Sequence, residues 1–248
     1  MLTIEKLTVR FGGVVAVKSL DLSVGKGEIH ALIGPNGAGK TTVFNAVFQL
    51  VPYTGVIQFA GRELRGLPRH RLAEIGVTRT FQNLSIFPSM TVRENVLVGF
   101  HSKSRSNPLN EILGLARDPE QELATTLGFF GLSSLGAAYA AVLPYGTLKT
   151  VELARAFISR PSLILLDEPA AGIPSAEKAG LKAVIRKIRD AGTTVLLVEH
   201  DMELVMDISD AVTVMDFGEK IAEGPPAQVS ADRRVIEAYL GEETHAAS

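Results

Sequence analysis

The stretch "GPNGAGKTT", residues 34–42, has the residue types and spacing to hold an anion. It fits G-x-x-x-x-G-K-[ST] from Gly34 to Thr41. Glycines at these points let the chain wrap until successive backbone N–H groups converge on a phosphate. Lys40 adds a point charge, and the Thr41 hydroxyl can ligate Mg²⁺. The candidate phosphate-binding residues are therefore Gly34, Pro35, Asn36, Gly37, Ala38, Gly39, Lys40, Thr41 and Thr42. A second chemical pair, Asp167 and Glu168, stands at the end of the apolar run in "LILLDEP". Asp167 suits Mg²⁺, directly or through water, and Glu168 suits a general base that polarises an attacking water. A lone histidine, His200, follows a similar run, "TTVLLVE", and a ring nitrogen there can meet a terminal phosphate.

These groups act together only if their strands deliver them to one edge. "EIHALI" leads straight into the glycine loop, and "TVFNAVFQL" after it is compatible with a helix. "SLILL", "TTVLLV" and "AVTVM" are nearly unbroken apolar runs, as expected of parallel strands buried on both faces. Ligands of open α/β sheets lie beyond the carboxyl ends of such strands. Between "SLILL" and "TTVLLV" a helix is expected with Leu181, Val184, Ile185 and Ile188 on one face. Near the N-terminus "LDLSV" and "GVIQFAG" read as strands. Residues 84–159 read as mostly helical or irregular, with a capping box from Thr91 to Glu94 and a polar linker, "HSKSRSNPLN".

The 248 residues suffice for one α/β domain with an inserted subdomain, or for two small domains. A net charge of −2 gives no electrostatic footprint for nucleic acid, and none is expected as a partner. The absence of cysteine excludes disulfides and thiolate metal sites. No run approaches the roughly 18 apolar residues of a membrane span, and "MLTIEKLTVRFGG" reads as a strand, not a signal peptide. A membrane link is expected to come through a partner.

The order "GPNGAGKT", "TFQN", "LPYGT" ahead of a helix, "LILLDEP" and "VEH" resembles the nucleotide-binding subunit of an ABC transporter, over about residues 2–240. The resemblance implies a P-loop NTPase fold. Its core, about 2–83 and 160–230, holds a mixed or parallel sheet and an antiparallel N-terminal β subdomain. A helical subdomain is inserted at about 84–159, and 241–248 form a flexible tail. The resemblance also implies two subunits packed head to tail around two ATP molecules with Mg²⁺. Each ATP then touches the phosphate loop of one chain and the signature turn of the other. On that reading the turn at Leu143–Thr147 binds a phosphate held by a different chain, through the N–H groups of Tyr145 and Gly146. The family pattern assigns Phe11 to stacking on adenine, and Gln82 to Mg²⁺, the water and signalling toward the membrane partner. Gln82 thereby joins Glu168 and His200 as catalytic candidates and Thr41 and Asp167 as metal candidates.

Two positions depart from the family pattern. Pro144 stands where a serine offers its hydroxyl and N–H, and proline offers neither. Tyr145, Gly146 and the dipole of a helix starting near Thr147 are left to bind the anion. Pro174 takes the place of an aspartate, and Ser175 is expected to cap the next helix. "TFQNLSIFPSMTVRENVLVG", "DEPAAG", "EHDMELVM" and "VIEAYLG" are similar to the LivG-type ATPases of branched-chain amino acid uptake. Related importers carry urea, short amides or aromatic acids. The resemblance implies a permease pair, a second ATPase (LivF-type, or another copy of this chain) and an extracytoplasmic substrate-binding protein. It places the chain on the cytoplasmic face of the inner membrane, with Ile86, Phe87 and Met90 as candidates to rim the permease groove. A GTPase would show an N/T-K-x-D motif, which is absent, and soluble tandem cassettes usually carry two such units in one chain.

Overall fold

The computed structural model describes residues 1–80, 82, 84–100 and 118–246. The expected linker 101–110 lies outside them. Two sheets organise the chain. Strands β1 (Leu2–Phe11), β2 (Val14–Val24), β4 (Thr54–Phe59) and β5 (Arg62–Glu63) form an antiparallel sheet in the order β2-β1-β4-β5. The second sheet takes β3 (Ile29–Ile33), β6 (Val77–Arg79), β7 (Leu163–Asp167), β8 (Thr194–Val198), β9 (Ala211–Asp216) and β10 (Glu219–Gly224). Its order is β10-β9-β3-β8-β7-β6, parallel except for β10 at one edge.

Alternation along the parallel strands explains the packing. Leu163, Leu165, Leu196 and Val198 face one way, toward the antiparallel sheet and helix α1 (Lys40–Val47), which contributes Val43, Phe44, Ala46 and Val47. Ile164, Leu166, Val195 and Leu197 face the other way, onto α3 (Val92–Leu97), α4 (Pro119–Phe129), α5 (Tyr145–Phe157) and α6 (Ser175–Asp190). The inserted helices thus share their apolar cluster with the back of the sheet. Leu181, Ile185 and Ile188 of α6 are buried there, as the helical spacing predicts. A third cluster joins β9 and β10 to α7 (Met202–Ile208), α8 (Pro226–Ser230) and α9 (Arg233–Ala246), around Val205, Val212, Val229 and Val235. Helix α2 (Arg69–Glu74) precedes the edge strand β6. The capping box is present: Glu94 N–H donates to Thr91 Oγ1 at 3.2 Å and Thr91 N–H to Glu94 Oε2 at 2.7 Å.

Two local expectations need correction. Ser175 does not cap α6; Pro174 holds the cap position, and Ser175 is the first helical residue. Proline's fixed φ, here −57°, suits the entry to a helix, and no side chain caps it. Helix α5 begins at Tyr145, two residues before Thr147, again behind a proline, Pro144. Helix α9 carries on past 241 to Ala246.

Candidate functional site

The carboxyl ends of β3, β8, β7 and β6 are neighbours in the sheet, so the loops leaving these strands meet at one edge. After β3 comes the glycine loop. Its turns need backbone that other residues resist: Gly34 has φ +148° and Gly39 has φ +100°. A Cβ at Gly34 would lie 2.0 Å from the Met215 carbonyl oxygen, and one at Gly39 2.5 Å from that of Ala16. Ala38 N–H closes the loop on the Pro35 carbonyl at 3.2 Å, and the Ala38 carbonyl accepts from Gly218 N–H at 3.1 Å. Asn36 and Gly37 are exposed at the tip, while Thr41 and Thr42 are half-buried on the first turn of α1. The first N–H groups of that helix have no partner within it, which suits an anion. Lys40 is buried, and its Nζ donates to the carbonyls of Gly34 at 2.6 Å and Pro35 at 2.8 Å. The ammonium is therefore held inside the curve of the loop.

After β7 come Asp167 and Glu168. Asp167 is buried; its Oδ2 accepts from Arg79 Nη2 at 2.6 Å, and its N–H donates to Thr80 Oγ1 at 3.2 Å. Its Oδ1 is buried with no hydrogen-bond donor among the described residues. Burial pushes the Asp167 carboxyl above its ordinary range, against the pull of the Arg79 guanidinium. Glu168 adopts φ +49°, with its N–H donating to the Val198 carbonyl at 2.8 Å. That turn aims the side chain at two neighbours. Gln82 Nε2 donates to Oε2 at 3.0 Å, and His200 Nε2 lies 2.7 Å from Oε1. Gln82, Glu168 and His200 lie far apart in sequence and converge on one carboxylate.

The remaining candidates lie apart from this cluster. Phe11 ends β1 with its ring half in solvent, free to meet a flat base. Tyr145 and Gly146 open α5, so their N–H groups lie in its first turn, among those without an intrahelical acceptor. The Tyr145 ring packs over Gly172, where a Cβ would come 3.0 Å from Cε1. The Glu177 carboxylate lies against Gly146, where a Cβ would meet Oε2 at 2.0 Å. Phe87 is exposed, Ile86 and Met90 are half-buried, and Ile86 packs on the second apolar cluster. The loop of these three residues is tied down by buried Asn95, which exchanges hydrogen bonds with the Phe87 backbone at 2.9 and 3.0 Å. A groove beside β6, of about 270 Å³, is lined by residues such as Phe48, Arg69, Val98, Glu152 and Arg155.

Two further side chains hold the site together. Arg79 is the partner of Asp167, from 88 positions away. Glu199 is buried beside His200. Its Oε1 accepts from Ala170 N–H at 2.6 Å, and its Oε2 from His200 N–H at 2.9 Å and Asp201 N–H at 3.3 Å. It thereby ties the turn after Glu168 to the turn that carries His200. Arg79 stands beside the "TFQN" stretch and Glu199 inside "VEH", and the spacing marks no role for either.

Residues 17–171 match the family described as ABC transporter, and residues 219–245 match the one described as branched-chain amino acid ATP-binding cassette transporter. The high-affinity branched-chain amino acid transport ATP-binding protein BraF of Pseudomonas aeruginosa is 43% identical over 253 residues, 98% of each chain. The corresponding LivG protein of Escherichia coli is 41% identical over 250 residues, again 98% of each. Among solved structures, the ADP conformation of MJ1267, an ATP-binding cassette of an ABC transporter, is similar with a TM-score of 0.85. It is 30% identical, covering 98% of this chain and 99% of that one. The family match over residues 17–171 and relatives matched nearly end to end place this chain in the ABC transporter family as one of its ATPases.

Proposed function

We propose that this chain hydrolyses ATP to drive uptake of branched-chain amino acids through membrane permease partners, from the cytoplasmic face of the inner membrane. The observation that carries the hydrolytic role is the Glu168 carboxylate, held between Gln82 and His200 on the edge that bears the phosphate loop. The loop 34–42 grips the phosphates, Lys40 neutralises them and Phe11 stacks on adenine. Glu168 takes the proton of the attacking water, Gln82 orients that water, and His200 holds the terminal phosphate.

The donors fit Mg²⁺. Asp167 offers a buried oxygen without a donor among the described residues, and Thr41 and Gln82 add oxygen atoms of the hard type this ion prefers. No cluster of three or more acidic, histidine or cysteine ligands exists among the described residues. That agrees with an ion held by one carboxylate and the substrate phosphates. When bound, Mg²⁺ neutralises charge on the phosphate oxygens.

No helix among the described residues is long and apolar enough to cross a membrane. The groove between β6 and the inserted helices is the place for a permease segment. The second ATPase, LivF-type or another copy, closes over the phosphate loop with its own signature turn, and an extracytoplasmic binding protein delivers the cargo. Support for the cargo comes from the two relatives named for branched-chain amino acids and from the match at 219–245. The test is to purify the chain with its membrane partners in vesicles and measure ATP-dependent leucine, isoleucine and valine uptake. Uptake of those three is expected. ATP-driven uptake of urea, amides or aromatic acids in their place would overturn the cargo, and no coupling to ATP would overturn the role.

The signature turn makes a separate prediction. Pro144 caps α5 with φ −58° and ψ 151° and no side-chain hydrogen bond. Pro144→Ser restores a hydroxyl and an N–H at that helix entrance, and a hydrogen bond to a charged group is worth about 1.5–3 kcal/mol. ATP-driven dimerisation should tighten roughly tenfold, the lower end of that range, in analytical ultracentrifugation. A tenfold loss of dimer affinity would show that the hydrogen-bond account of the turn is mistaken.

A further inference from the structure

Arg79 ends the edge strand β6, three residues before Gln82. Its side chain is only 4% exposed. One arm, Nη2, donates to Asp167 Oδ2 at 2.6 Å, and the other, Nη1, donates to Asn45 Oδ1 at 2.7 Å. The guanidinium carbon also lies 5.4 Å from the ring centre of Phe44 and 5.8 Å from that of Phe48. Phe44 and Asn45 belong to α1, and Phe48 is its C-terminal cap. One side chain therefore joins β6, β7 and α1, which lead to Gln82, Asp167 and Lys40 with Thr41.

The planar fork explains the choice of residue. A guanidinium reaches two acceptors on opposite sides in one plane while its face rests on aromatic rings; an ammonium does not reproduce that geometry. Its effect on Asp167 is selective. Oδ2 is occupied, while Oδ1 is buried without a donor among the described residues. A buried carboxylate oxygen without a partner is costly unless another group completes it.

The geometry points to Arg79 as the positioning residue of the metal site: it fixes Asp167 against the phosphate-loop helix and leaves Oδ1 as the oxygen for Mg²⁺. This rests on the reading of Asp167 as a metal carboxylate, proposed above. Two effects of Arg79 on Mg²⁺ have opposite signs. Its positive charge repels the ion, while its grip on the carboxylate organises the ligand. Arg79→Lys separates them, because the charge stays and the fork is lost.

The experiment titrates Mg²⁺ against the affinity of the full chain for a fluorescent ATP analogue, with a parallel measurement in EDTA. Partners one shell outside a metal typically change metal affinity by about 10–100-fold when altered. For Arg79→Lys the half-saturating Mg²⁺ concentration should rise about tenfold, with affinity in EDTA within about twofold of the parent. Asn45→Ala keeps the ion pair and removes only the anchor, so a rise in the same direction is expected there too. Asn45→Ala also serves if Arg79→Lys does not fold. An unchanged Mg²⁺ requirement in the folded variants, even with a lower melting temperature, would overturn the proposal and leave a purely structural ion pair. Asp167→Asn is the control: if it too leaves the Mg²⁺ requirement unchanged, the metal reading of Asp167 fails, and the proposal with it.

Discussion

Glu168→Gln is expected to lower ATP turnover by about 10²–10⁴-fold while leaving ATP affinity near that of the parent. The substitution keeps the shape of the side chain and removes its ability to take a proton. Its surroundings favour that clean separation. One carboxylate oxygen accepts from Gln82 at 3.0 Å and the other lies 2.7 Å from His200 Nε2. The main-chain turn at φ +49° is anchored by a hydrogen bond to Val198, which an amide side chain leaves in place. With hydrolysis blocked, the ATP-bound dimer with the partner ATPase should accumulate and elute as a stable species. Single-turnover hydrolysis by the mixed dimer is the measurement, and an unchanged rate rules Glu168 out as the base.

Lys40→Ala should act on the opposite parameter. Lys40 is buried in the loop, with Nζ held by the Gly34 and Pro35 carbonyls, so its charge is in place before nucleotide arrives. Each hydrogen bond to a charged group is worth about 1.5–3 kcal/mol, and losing one weakens ATP binding roughly 10- to 100-fold. Alanine is the best helix former, and Lys40 is the first residue of α1, so the fold should tolerate the change. Calorimetric titration with ATP checks it. Affinity within twofold of the parent would mean that the ammonium does not face the phosphates.

The contrast between these two side chains and Arg79 or Glu199 shows what a sequence exposes. The glycine loop is legible because its demands are local: φ values reserved for glycine, a strand before and a helix after. The buried strands are legible for the same reason, since burial on both faces leaves an unbroken apolar run. Gln82, Glu168 and His200 come together only if their strands are neighbours, and the sheet order supplies that. Arg79 gives no such signal. An arginine on a three-residue edge strand looks solvated until the fold sets it against Asp167 and Asn45. Glu199 likewise acquires its role from Ala170, 29 positions away. The starts of α5 and α6 are hard to place from residues alone, because each proline reads as a departure from a binding motif while it also sets the entry to its helix.

The central claim is that ATP held at this sheet edge is hydrolysed only when the signature turn of the second ATPase closes over it. The most direct test titrates the partner ATPase into a fixed, dilute amount of this chain, recording ATP turnover and the dimer fraction by light scattering in the same samples. Turnover should rise in step with the dimer and vanish on dilution. Full turnover per chain in samples that remain monomeric would contradict the account.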